Sequence, residues 1–205
     1  MHAEALTKEA AALLTLFRRF RGYYLVGGTA LALQIGHRVS IDFDFFCRQE
    51  LPRNLLQRVK RVFFGYPVVV TYAAYEQLSL VINGVKTTFF YYTYPTQEPF
   101  ILYKGIPLAS VPEIAAMKAF AIGKRIAYKD YVDWYFLLSE GHVNIRQVIA
   151  LARKKYGNDF NDRLFLGQLA SLGDVPTQRI NFLKDEVRRE TIEKFLKKTV
   201  KEYMG

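Results

Sequence analysis

Two carboxylates, Asp42 and Asp44, stand two residues apart in the run Ile41-Asp42-Phe43-Asp44-Phe45-Phe46. On a strand, residues i and i+2 share a face, so both carboxylates point the same way. Two strand rises put them roughly 6.5–7 Å apart. At an effective dielectric of about 20 they repel by about 2 kcal/mol. A divalent cation between them converts that repulsion into binding. Mg²⁺ (or Mn²⁺) suits such a pair, because Mg²⁺ takes one or two carboxylates and completes its shell with water and phosphate oxygens. Upstream, the apolar run Tyr23-Tyr24-Leu25-Val26 ends in Gly27-Gly28-Thr29. Glycines where a strand turns into a helix let backbone approach a ligand closely. The free N–H groups and positive dipole end of the following helix suit a phosphate. Taken singly, Gly-Gly is a turn and Asp-x-Asp a solvated strand face. Together, with apolar neighbours that leave a polar group in need of partners, they favour a site.

The elements that position these residues follow from the same stretch: strand, Gly-rich turn, helix, then the strand with Asp-x-Asp. Residues 6–17 carry apolar side chains at helical spacing and read as a packing helix with a basic end. Glu4, Lys8 and Glu9 argue against a secretion signal there. Residues 51–64 read as a helix whose basic residues either face solvent or line a route for RNA. Residues 67–72, 77–82 and 85–92 read as strands, with Asn83-Gly84 a hairpin signal between the last two. A further β segment is predicted around Gly105. Ser110-Val111-Pro112-Glu113 has the form of a capping box. The helix after it weakens at Gly123-Lys124-Arg125, and another follows over 127–138. Asp174-Val175-Pro176 reads as a turn, between helices expected at 144–156, 159–172 and 178–203. Lys118 and Asp133 lie in dense apolar surroundings, where an unpaired charge is costly. Taken from the pattern, Lys118 snorkels to solvent and Asp133 caps or pairs locally.

Composition bounds the function. The chain has 205 residues, 51% hydrophobic, enough for a substantial core. Its formal net charge is +10, which fits a nucleic acid or nucleotide phosphates, or simply a basic protein. A lone cysteine, Cys47, excludes an intramolecular disulfide framework and a cysteine zinc cluster, and reads as a buried residue rather than a nucleophile. No apolar run approaches the length of a membrane span, so no membrane partner is expected and the location expected is cytoplasmic.

Gly27-Gly28-Thr29-Ala30-Leu31, followed by His37-Arg38-Val39-Ser40-Ile41-Asp42-Phe43-Asp44-Phe45-Phe46, resembles the signature of the AbiEii/AbiGii-type nucleotidyltransferases, a family that includes the MenT toxins of bacterial toxin–antitoxin pairs. Residues 111–118 and 129–135 look like its third and fourth motifs. The resemblance implies an α+β (α/β-like) nucleotidyltransferase fold: a mixed β-sheet flanked by helices, with a C-terminal helical lobe. The expected division is a core lobe over 1–108 and a helical lobe over 109–205 that brings Lys118 and Asp133 to the same cleft as Asp42. The implied activity is Mg²⁺-dependent transfer of a nucleotide from an NTP to RNA, a tRNA 3′ end being the acceptor, by the toxin partner of a cognate antitoxin. Gly27, Gly28, Thr29 and Ser40 would hold the triphosphate. Asp42 and Asp44 would hold the metal, Lys118 would neutralise phosphate charge, and Asp133 would orient it or activate the acceptor hydroxyl; Asp130 competes for that role. One departure stands out. Many nucleotidyltransferases place a third carboxylate on a later strand beside the Asp-x-Asp, and residues 85–92 offer Thr87 and Thr88 instead. That leaves open a phosphotransferase using the same NTP site, or a catalytically silent NTP- or RNA-binding module.

Overall fold

A computed structural model of the chain describes residues 1–122, 127–173 and 175–205. The expected weakening at Gly123-Lys124-Arg125 and the first residue of the expected turn at Asp174 lie outside the described residues. The chain divides into two compact units, one of Met1–Pro95 and Pro99–Ser110, the other of Thr96–Glu98 and Val111–Gly205.

The first unit holds α1 (Lys8–Leu14), β1 (Tyr24–Val26), α2 (Gly27–Ile35), β2 (Phe43–Cys47), α3 (Leu55–Val62), β3 (Val68–Ala73), β4 (Gln77–Ile82), β5 (Val85–Tyr91), β6 (Ile101–Tyr103) and β7 (Ile106–Leu108). Its strands form one mixed sheet in the order β3-β4-β5-β2-β1-β7-β6. β2 lies at the centre, antiparallel to β1 and parallel to β5. The predicted hairpin joins β4 to β5, with Asn83 and Gly84 both at positive φ. Along β2, Phe43, Phe45 and Cys47 are buried while Asp44 and Phe46 are half-buried, the alternation of a strand with one core face. On that core face Phe17 packs on Phe43, Phe45 and Phe63 at ring-centroid distances of 5.1, 4.5 and 4.9 Å, and Phe89 on Phe45 at 5.6 Å. Each such ring contributes about 1.5–3 kcal/mol on burial. The aromatic layer therefore holds β2 in register, and with it the face that carries Asp44.

The second unit is helical: α4 (Val111–Ile122), α5 (Tyr128–Ser139), α6 (Ile145–Tyr156), α7 (Asp162–Leu169) and α8 (Arg189–Met204). Its core includes Tyr131 and Trp134 of α5, the latter 5.2 Å from Phe165, and a stacked pair of Phe120 and Tyr156 at 4.0 Å. Asn144 and Gln147 form a reciprocal capping box at the start of α6.

Several sequence expectations are corrected. The N-terminal helix is α1 followed by a tighter 3-10 turn over Thr15–Arg19, and the helix expected over 51–64 shortens to α3. The helix expected over 159–172 is a 3-10 turn, Gly157–Asp159, and then α7, because Asn161 accepts from the Leu164 amide and starts the helix there. The helix expected from residue 178 begins at Arg189. Tertiary contacts hold the preceding segment in another shape. Arg189 donates to Thr177 Oγ1 and to the Leu172 and Gly173 carbonyls, and Lys184 pairs with Glu140 at 2.7 Å. Ser110 and Glu113 make no capping box. Ser110 Oγ has no hydrogen-bond partner among the described residues. Glu113 instead turns inward to Lys155 at 2.6 Å, and its Oε2 accepts from the Gln97 and Glu98 amides.

Candidate active site

In the first unit, β1 passes directly into α2 at Gly27, whose φ of +69° suits glycine. A Cβ at Gly27 would stand 2.9 Å from Asp44 Oδ2, so the turn and the carboxylate are in immediate contact. The register explains this: Val26 of β1 is opposite Asp44 of β2. Val26 provides no side-chain cap for α2. Thr29 Oγ1 donates to Ser40 Oγ at 2.8 Å and is also bonded to the Asp42 carbonyl oxygen. The turn is thereby tied to the segment that leads into β2. Thr29 and Ser40 are buried, and Asp42 and Asp44 half-buried. Asp42 lies one residue before β2 rather than within it, and Asp44 is a strand residue as expected.

The position beside Asp44 on β5 belongs to Thr88, so the strand that could carry a third carboxylate carries a hydroxyl. Thr88 Oγ1 lies 3.3 Å from Ser79 Oγ, which accepts from Gln77 Nε2 at 2.8 Å. Among the described residues no group of three or more His, Cys, Asp or Glu could hold a metal ion. The donor set is a pair of hard oxygen ligands beside a glycine whose missing Cβ leaves room at the carboxylate. It fits a cation of the Mg²⁺ type, which retains waters and takes the remaining oxygens from a phosphate.

In the second unit, Lys118 of α4 is 5% exposed, and its ammonium does not snorkel. It lies 2.8 Å from Asp130 Oδ1 and 2.6 Å from Asp133 Oδ2, both on α5. Asp130 and Asp133 are three residues apart on one helix face, so a single lysine meets both. The uncertainty between the two acids thus has a physical origin: both are partners of Lys118. Asp133 is the more deeply enclosed, with no side-chain exposure against 6% for Asp130.

Sequence reasoning missed two features. The N-terminal segment supports the motif loop, with the His2 amide bonded to the Leu33 carbonyl and the Ser40 amide to the Ala5 carbonyl. Arg38, inside the quoted motif, is buried against Gly28. Its one available signal was its place inside that motif, two residues before Ser40. Cys47 is buried and donates to the Gln49 carbonyl at 3.1 Å; burial pushes its thiol pKa up, as expected of a structural residue.

The fold has counterparts among solved structures. JHP933 from Helicobacter pylori is 16% identical, with 97% of this chain and 96% of that one covered and a TM-score of 0.52. The nucleotidyltransferase toxin MenT4 (Rv2826c) from Mycobacterium tuberculosis H37Rv is 18% identical, with 97% and 86% covered and a TM-score of 0.67. At such identities these structures speak to the fold. In sequence, an uncharacterized protein of Aquifex aeolicus (strain VF5) is 34% identical over 185 residues, 89% of this chain and 88% of that one. No described helix is long and apolar enough to cross a membrane. The family described as nucleotidyl transferase AbiEii toxin, type IV toxin–antitoxin system, matches residues 11–103 and 99–204. With the match spanning nearly the whole chain, the protein belongs to the AbiEii family of toxin nucleotidyltransferases.

Proposed function

We propose that this nucleotidyltransferase moves a nucleotide from an NTP to the 3′ hydroxyl of an RNA, tRNA being the acceptor, with Mg²⁺ as its metal, and that it acts as the toxin of a pair with a cognate antitoxin. The observation that carries the reading is the contact between Gly27 and Asp44: the turn suited to phosphate abuts the carboxylate suited to metal. The amides of Gly27, Gly28 and Thr29 and the Ser40 hydroxyl bind the triphosphate. Asp42 and Asp44 would hold the metal; a divalent cation there would supply activation of the acceptor oxygen and neutralisation of the departing pyrophosphate. Lys118 is assigned to the same reaction, offsetting charge that builds on the phosphates. Asp133, which touches Lys118 and is fully enclosed, is a positioning residue that orients the ammonium.

The test uses NTPs labelled on the α- or the γ-phosphate, Mg²⁺ and total RNA. The expected result is α-label in tRNA and no transfer to RNA whose 3′ hydroxyl is blocked. Movement of γ-label alone, across all four NTPs, would replace this reading with phosphotransfer from the same site. The Thr88 hydroxyl beside Asp44, in place of a carboxylate, is the observation that keeps that comparison in the experiment.

A further inference from the structure

The turn at the start of α2 lies against a cation. Arg38 is 4% exposed, and its Nη1 donates to the Val39 carbonyl oxygen at 3.1 Å. Its other terminal nitrogen reaches the first turn of α2: a Cβ built on Gly28 would stand 2.6 Å from Arg38 Nη2 and 3.4 Å from Ser40 Oγ. Gly28, unlike Gly27, does not have a positive φ. Its lack of a side chain is therefore a matter of space, and the group occupying that space is a guanidinium. Arginine keeps its charge at any working pH and offers five N–H donors in a planar fork that matches the oxygens of a phosphate. The neighbouring helix end has no side-chain cap, so backbone N–H groups and the guanidinium act on the same small region.

We propose that Arg38 is a polyphosphate-binding residue, and that Gly28 is glycine in order to admit the Arg38 guanidinium to the start of α2. The ligand class is the triphosphate of an NTP, so the proposal rests on the nucleotidyl-transfer reading. It differs from the expectation that both glycines make room for the ligand itself.

Inorganic tripolyphosphate, titrated calorimetrically into the full chain in EDTA, reads phosphate recognition without base, metal or chemistry. Arg38→Gln removes the charge, and Arg38→Lys keeps it without the fork. Loss of a charge-assisted hydrogen bond predicts binding weakened about 10-fold or more in Arg38→Gln. Arg38→Lys should fall between that variant and wild type in affinity, and melting temperatures are recorded beside it because Arg38 is buried and bonded to the Val39 carbonyl. Gly28→Ala should also weaken binding, yet add nothing in an Arg38→Gln background, because the group it displaces is already gone. Wild-type affinity in Arg38→Gln overturns the proposal, as does a lowered melting temperature with unchanged affinity, which marks a structural tie. Additive penalties from Gly28→Ala and Arg38→Gln also overturn it, because the missing side chain at Gly28 would then make room for the ligand rather than for the guanidinium. If Arg38→Gln does not fold, weakened binding in both Arg38→Lys and Gly28→Ala supports the proposal, and wild-type binding in both refutes it. A wild-type protein that binds neither tripolyphosphate in EDTA nor any NTP with Mg²⁺ present defeats the nucleotidyl-transfer reading as well. A wild-type protein that binds and transfers while Arg38→Gln does so equally sinks the Arg38 role alone.

Discussion

Asp42 and Asp44 stand two residues apart, in different settings. Asp44 is held in the central strand by Val26 on one side and Thr88 on the other, while Asp42 sits just outside the strand with its carbonyl bonded to Thr29. Replacing Asp42 by Ala leaves those backbone ties in place, so the fold should survive. Transfer should fall about 100-fold or more, since even changes behind a metal ligand cost 10–100-fold. Near wild-type transfer by Asp42→Ala, measured with α-labelled NTP, would remove Asp42 from the site. Lys118 behaves differently, because its partners are buried with it. Lys118→Met leaves the Asp130 and Asp133 carboxylates without their cation, which should cost about 3–5 kcal/mol of stability as well as activity. Urea unfolding measures this; a loss below about 1 kcal/mol, the scale of an exposed pair, would mean that the three charges are not an enclosed unit.

In the helical unit, α4 depends on a partner distant in sequence. Its Glu113 meets Lys155 of α6 with neither side chain exposed, and the same carboxylate holds the amides of Gln97 and Glu98 in the short segment preceding β6. Lys155→Met should therefore destabilise the protein by about 3–5 kcal/mol. Adding Glu113→Gln should recover part of that loss, since Gln keeps an oxygen for the two amides and carries no charge. Denaturant curves for wild type, Lys155→Met and the double variant decide it: a double variant less stable than Lys155→Met would contradict the pairing. Nothing in the spacing of Ser110 and Glu113 distinguishes this inward pair from a capping box. The choice belongs to α6, which brings Lys155 alongside.

Across the whole molecule, a net charge of +10 makes salt a direct probe of the acceptor. RNA binding through about six phosphate contacts should weaken with salt at a log–log slope of about −4 to −5. A slope near zero, from filter binding of tRNA at several KCl concentrations, would show that the positive charge serves something other than nucleic acid. The same series with a 3′-blocked tRNA should give a similar slope, since phosphates dominate affinity, and no product.

The sequence by itself determined the contiguous part of this protein. β1, α2 and β2 follow one another closely, and their identities rest on apolar runs, two glycines and the i, i+2 spacing of Asp42 and Asp44. Those are local properties, and backbone geometry converts them directly into a strand–turn–helix–strand unit. The hairpin at Asn83-Gly84 was legible for the same reason, as was the absence of an acid in β5. Tertiary structure decided what each polar group meets. Gly28 faces Arg38, Lys118 meets both Asp130 and Asp133, and Glu113 turns to Lys155 instead of Ser110. It also halted the last helix at Arg189, whose side chain binds carbonyls that a longer helix would have carried elsewhere. A buried charge takes the partner that packing brings within about 3 Å, and spacing along the chain does not encode which helix that partner comes from.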